Sequence, residues 1–254
     1  MTCAKKGYST NQKGYSPSVQ NQRGYSPSVH RVAMKEGRME EFKLGTPAVV
    51  CRWRIASKEL PLENRHLRAL GARVVNGKPV PKALVAWAKQ HLEWTLVDGA
   101  YEHPDGLLML VIDEDGKAAM TVGPYRPLAH ASANDLLVRA RNGRNEAEKT
   151  RVSPEDLWVV HNNVLVWGTC QEYRASGASS LVADLAQTLG MPVKHDEDLL
   201  DVLTYRGFLD DEVFLVSDEH GVVPAVDHSG ARSQKFAQSY KKLLIKQANA
   251  SGMH

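Results

Sequence analysis

Apolar and polar positions alternate loosely from Val49 to Ile55, and that pattern predicts a half-buried strand. Leu62, His66, Leu67 and Leu70 then fall on one helical face that Gly71 ends. Pro81 opens a second helix whose Leu84, Val85, Ala88 and Leu92 also recur at helical spacing. A hairpin follows, Leu107–Ile112 and Ala118–Val122 around the turn Asp113-Glu114-Asp115-Gly116. The acidic turn lacks the downstream ligand spacing of a calcium loop, so it is read as turn chemistry.

The second half has the same mixed rhythm. Leu157–Val160 and Val164–Trp167 flank Asn162-Asn163 as a second hairpin. The small residues Ser176 to Ser180 precede a helix that Gly190 stops, and a short acidic helix spans Asp196 to Leu203. Strands at 212–217 and 222–226 lead to a final basic helix from Gln234 to about Gln247. Hairpins in both halves argue for α+β architecture rather than a doubly wound parallel sheet. The expected organisation is a tail over 1–35, an N-terminal α+β subdomain over 48–128 and a C-terminal one over 129–248.

The tail changes how the charge is read. Gly7-Tyr8-Ser9, Gly14–Val19 and Gly24–Val29 repeat a Gly-Tyr-Ser-based unit that has no face to bury, so disorder is expected. Of the 254 residues, 32 are Lys or Arg and 29 Asp or Glu; six of the basic and none of the acidic ones precede Glu36. The rest of the chain is therefore mildly acidic, which argues against a broad nucleic-acid-binding face. Tyrosines stacking on single strands remain the functional alternative for the tail, and a solvated extension is the simpler reading.

The three cysteines, Cys3, Cys51 and Cys170, are far apart, so neither a disulfide framework nor a zinc site is expected. No histidine pair has metal-ligand spacing together with a carboxylate, and no metal is expected. The longest aliphatic run, Leu107–Ile112, is too short to cross a bilayer, and the N-terminus is polar; a soluble cytoplasmic protein is expected. Nucleophile-elbow, Walker and dinucleotide fingerprints are missing from the sequence.

Two loops look built for an anion. Ser176 to Ser180 place free N–H groups at a helix N-terminus, and Ser217-Asp218-Glu219-His220-Gly221 could close a backbone nest on the same group. A helix N-terminus contributes about 1 kcal/mol toward an anion, so a basic side chain or covalent link would have to help. Each loop also has a purely structural reading, as an N-cap and as a turn.

Ser180–Val193, Asp211–Val216 and Gly221–Val226 together resemble the class IV aminotransferases, the fold type IV pyridoxal-phosphate (PLP) enzymes that include branched-chain and D-amino acid aminotransferases and 4-amino-4-deoxychorismate lyase. The resemblance covers some 75 residues of the second half and the first half in outline. It implies two α+β subdomains with PLP between them, a homodimer, and amino-group chemistry on a small amino acid or keto acid, or the lyase reaction on a chorismate-derived substrate. Ser179, Ser180, Ser217 and Asp218 would hold the phosphate. Glu63–Leu70 resembles the family helix whose arginine joins them, with Arg68 the first choice and Arg65 the second.

The lysine region departs from the family. PLP chemistry needs an amine to form the internal Schiff base and carry the proton. Between Val122 and Gly177 the chain is shortened and degenerate, lacking part of a glutamate-bearing hairpin. Lys149 is the candidate there, although Asn145–Lys149 also reads as a solvated helix end, and an alternative alignment puts Arg126 near the lysine position. Glu172 is the candidate partner of the pyridine nitrogen. The rival reading is a catalytically inactive member of the fold that binds or assembles. Deleting residues 1–33 is expected to leave the thermal unfolding midpoint and any PLP binding unchanged, which calorimetry and PLP absorbance of the truncated chain would check.

Overall fold

The computed structural model describes residues 42–209 and 211–251, with side chains described up to 246. The repeat-bearing tail lies outside the described residues. In chain order the elements are β1 (Pro47–Arg54), α1 (Glu63–Gly71), the small hairpin β2 (Val74–Val75) and β3 (Lys78–Pro79), α2 (Lys82–Gly99), β4 (Leu107–Asp113), β5 (Ala118–Gly123) and α3 (Ala133–Thr150). There follow β6 (Glu155–His161), β7 (Val164–Trp167), α4 (Gly177–Thr188), β8 (Val193–His195), α5 (Leu199–Arg206), β9 (Glu212–Ser217), β10 (Gly221–Pro224) and α6 (Ala231–Ser251). None of the described helices is long and apolar enough to cross a membrane.

The first sheet has the antiparallel order β1-β4-β5, with Cys51 opposite Leu110 and Trp53 opposite Leu108. Alternation along β1 turns Val49, Cys51 and Trp53 into the core and leaves Arg52 in solvent. Leu67 and Leu70 of α1 and Ala88 and Leu92 of α2 close over these side chains. Pro81, in extended conformation, caps α2, where its missing N–H costs no hydrogen bond.

The second sheet has the order β10-β9-β6-β7-β8, antiparallel except between β7 and β8. Both central asparagines of the β6–β7 turn have positive φ (47° and 63°), the backbone whose twist matches a two-residue hairpin. Helices cover both faces of this sheet. Trp158, Phe214 and Val216 pack against α4 and α6, whereas Leu157, Val159, Val213 and Leu215 pack against α3 and α5. Burial on both sides explains why these strands read as continuous apolar runs instead of alternating ones. Leu62, at the entrance to α1, joins the α4 side of this core and so ties the two sheets together.

Sequence pattern and structure differ in four places. The 18-residue α3 appears in the sequence only through its last turn, because its buried face is built largely of Ala133, Ala140, Gly143 and Ala147 with only Leu136 and Leu137 as large apolar residues. Its start is nonetheless signalled, since Ser132 and Asp135 form a reciprocal capping box. Helix α5 begins at Leu199 and not at Asp196, because the Asp196 carboxylate accepts the Asp198 N–H and makes a turn of those residues. Strands β2, β3 and β8 are too short to show a period, and α6 starts at Ala231, earlier than Gln234.

Gly143 sets how closely α3 lies on β6. A Cβ there would collide with the Glu155 carbonyl and lie 2.9 Å from Ser153 Oγ. In an exposed helix Gly→Ala stabilises by about 1 kcal/mol. Gly143→Ala is expected to reverse that sign and destabilise by about 1–3 kcal/mol, the usual cost of overpacking, measured by urea unfolding.

Candidate functional site

Three elements meet where the sheets approach each other: the end of β1, the first turn of α4 and the turn between β9 and β10. Ser176 caps α4, its hydroxyl accepting the Ser179 N–H and its carbonyl the Ser180 N–H. The Ala178 N–H donates to Asp218 Oδ1 at 2.7 Å. Asp218 Oδ2 lies 3.4 Å from His66 Nδ1, and its backbone carbonyl accepts the Arg54 N–H at 3.1 Å. His66 is 2% exposed and stacks on Trp53, with ring centroids 5.1 Å apart. Gly177 permits that position, since any Cβ there would collide with the His66 ring.

Burial pushes the Asp218 carboxyl up, but His66, the Ala178 N–H and Arg73 outweigh it and hold the group below its usual range. Asp156 stands on the other side of the same helix turn, accepting from the Ser179 hydroxyl. Burial pushes it the other way, up to about 6. The two carboxylates that flank α4 thus have opposite tendencies to ionise.

Beside this joint lies a cleft of about 230 Å³, lined among others by Cys51, Arg73, Arg139, Glu146, Glu155, Ser217 and Asp218. Arg73, 3% exposed, donates to Glu146 Oε1 at 3.0 Å and to Thr150. Arg139 donates to Glu155 at 2.6 Å and to His220 Nε2 at 3.3 Å. Since a guanidinium can only donate, His220 Nε2 accepts and its Nδ1 carries the proton toward Tyr125, 3.3 Å away. Burial and the charges of Arg139, Arg54 and Arg52 push His220 down to about 4. Burial also pushes the Cys51 thiol up, so Cys51 is a packed thiol rather than a nucleophile.

The residues expected to form one site are only partly brought together. Ser217 and Asp218 line the cleft, with Ser179 and Ser180 just behind on α4. Arg65, not Arg68, reaches that helix, donating to Ser180 Oγ at 3.0 Å and Asp184 at 2.6 Å. Arg68 is exposed and donates to Asn64 of its own helix, because the turn of α1 that buries His66 directs Arg65 toward α4. Lys149 is exposed on the last turn of α3, and the cleft lining contains no lysine. Glu172, also on the surface, lies 3.9 Å from Arg151. Nothing local in the sequence marks Arg73, Arg139 and Asp156 as site residues, and for His66 the only signal is its place on the core-facing side of α1.

Neither a family profile nor a curated protein sequence matches this chain. Solved structures do. A protein from Mycobacterium tuberculosis described as a hypothetical aminotransferase superposes with a TM-score of 0.55 at 13% identity, over 83% of this chain and 96% of that one. The chain has the fold of the fold type IV aminotransferases. A fold IV transaminase from Curtobacterium pusillum gives 0.53 at 12% identity over 86% and 92%. A Legionella pneumophila protein described provisionally as a 4-amino-4-deoxychorismate lyase gives 0.51 at 11% over 81% and 97%. The Mycobacterium protein is also known in a PLP-bound form, which superposes equally well.

The residues of this fold type IV chain do not fit PLP in the arrangement the resemblance implies. Of the N–H groups at the start of α4, those of Ala178, Ser179 and Ser180 are already used, one by a carboxylate of the chain itself. In the second loop the Ser217 hydroxyl accepts the N–H groups of Glu219 and His220, so that loop closes on its own side chain. Arg65 is held by Ser180 and Asp184.

The two displaced titrations have a measurable consequence. Asp156 folds with its carboxyl raised, so its contribution to stability falls as pH rises from about 4 to 6, by about 3 kcal/mol in total. His220 folds with its imidazole lowered, so its contribution is lost as pH drops from 6.5 toward 4. Relative to wild type, Asp156→Asn is expected to gain stability above pH 6, and His220→Gln to gain it at pH 4. Urea unfolding across that range would check both.

Proposed function

We propose that this chain keeps the fold type IV architecture for binding or assembly and does not carry out PLP chemistry. The observation that carries the proposal is the Asp218 carboxylate seated on the Ala178 N–H, where a cofactor phosphate would need that donor. The exposed position of Lys149 and the lysine-free cleft support the same reading. The place beside this joint that the chain offers a ligand is the cleft, where Arg73, Arg139 and Arg52 lie 3.0, 2.6 and 3.9 Å from their carboxylate partners. Such a mixed-charge surface of small volume suits a small polar molecule better than an apolar one.

The rival reading is a PLP-dependent aminotransferase or lyase, favoured by the similarity to a PLP-bound structure. It would assign Lys149 as the Schiff-base lysine, Glu172 as the partner of the pyridine nitrogen, and the serines, Asp218 and an α1 arginine as phosphate ligands. Incubation with PLP followed by borohydride distinguishes the two. No imine absorbance and no modified lysine peptide are expected; a stoichiometric adduct at any lysine would refute the proposal.

A further inference from the structure

We infer that Asp218 is a built-in anion: its carboxylate fills the anion site at the N-terminus of α4 and holds the two sheets together without any cofactor. The inference rests on the proposal that the chain does not use PLP, and it goes further by saying what replaces the missing group.

A helix of 12 residues presents a partial positive charge and unpaired N–H groups at its first turn. Small residues at Gly177 and Ala178 leave that turn open to close approach. In this chain the approaching group is the Asp218 carboxylate, with Oδ1 on the Ala178 N–H at 2.7 Å and Oδ2 facing His66 at 3.4 Å. Both side chains are almost completely buried, and His66 Nδ1 makes no well-directed hydrogen bond. That ring therefore depends on the nearby carboxylate for compensation. Asp218 also accepts from Arg54 through its backbone, so one residue touches β1, α1 and α4 together. A free anion in place of the carboxylate would have to bridge α1 and α4, since the link to β1 is made by the backbone carbonyl. The carboxylate does so with no translational entropy to lose, because it is already part of the chain.

Deleting the carboxylate should therefore create a vacancy that a small free anion can fill. The test uses the full chain and its Asp218→Gly variant, with formate and inorganic phosphate as probes and chloride at matched ionic strength as control. The wild type is expected to show no saturable change of melting midpoint with either probe. Asp218→Gly is expected to melt lower and to recover about half or more of the loss, saturably, in formate or phosphate but not in chloride. In the rescued variant the amide resonance of Ala178 should move with the same saturation curve. If the variant does not fold unaided, refolding should yield soluble protein in formate or phosphate and none in chloride. Equal behaviour of the variant in all three salts, or a wild type stabilised saturably by phosphate, would overturn the inference. A wild type that forms a lysine adduct with PLP would instead overturn the proposed function, so the two failures are distinguishable.

Discussion

A carboxylate removed from water has to be compensated where it lies, and in this protein the compensation of Asp218 determines how the two sheets meet. Desolvating an unpaired charge costs several kcal/mol. The Ala178 N–H at the positive end of α4, the His66 ring and the more distant Arg73 supply the offset. None of these groups can move far without uncovering the charge. Through them the position of α4 is tied to α1, and through the Arg54 N–H it is tied to β1. Stacking of Trp53 on His66 then carries the constraint into the core of the first sheet.

The second buried carboxylate lies close to the first. Asp156 accepts from Ser179, the next residue of the same helix turn; its own burial raises it most, and the charge of Asp218 adds to that. Two carboxylates near one helix N-terminus cannot both be fully compensated by a single partial charge. The group that takes the backbone N–H and faces His66 stays ionised. The other, left with hydroxyl donors, holds its proton up to about pH 6. This division explains why Asp156 needs no basic partner even though it is 3% exposed.

Legibility in the sequence depended on how each feature stores its information. Hairpins and amphipathic helices with large apolar residues, such as β4–β5, β6–β7 and α1, could be read because periodicity and turn chemistry are local. Most of α3 could not, since small residues form its buried face, and close approach at Gly143 shows only when β6 is in place. The anion-receptive character of residues 176–180 and 217–221 was also local and readable. Their occupant was not, because the meeting of Asp218 with Ala178 spans 40 residues and the meeting of Arg65 with Ser180 spans 115. The choice between Arg65 and Arg68 turned on the rotation of α1, which depends on burying His66.

The same reasoning explains how a chain could resemble PLP enzymes in its loops and yet close those loops on its own side chains. A helix start that accepts a phosphate and one that accepts a carboxylate need the same local sequence: a capping serine, small residues where the anion approaches, and a loop that brings the anion in. The internal pair makes the same local demands on Ser176, Gly177 and Ala178 as a cofactor phosphate would. In this protein the group that arrives at the helix is the Asp218 carboxylate, from the loop that the resemblance assigns to phosphate binding. An aspartate at that position repels a second anion, whereas a serine or threonine would welcome one. The residue type at position 218 therefore says more about which anion the helix accepts than the helix start does.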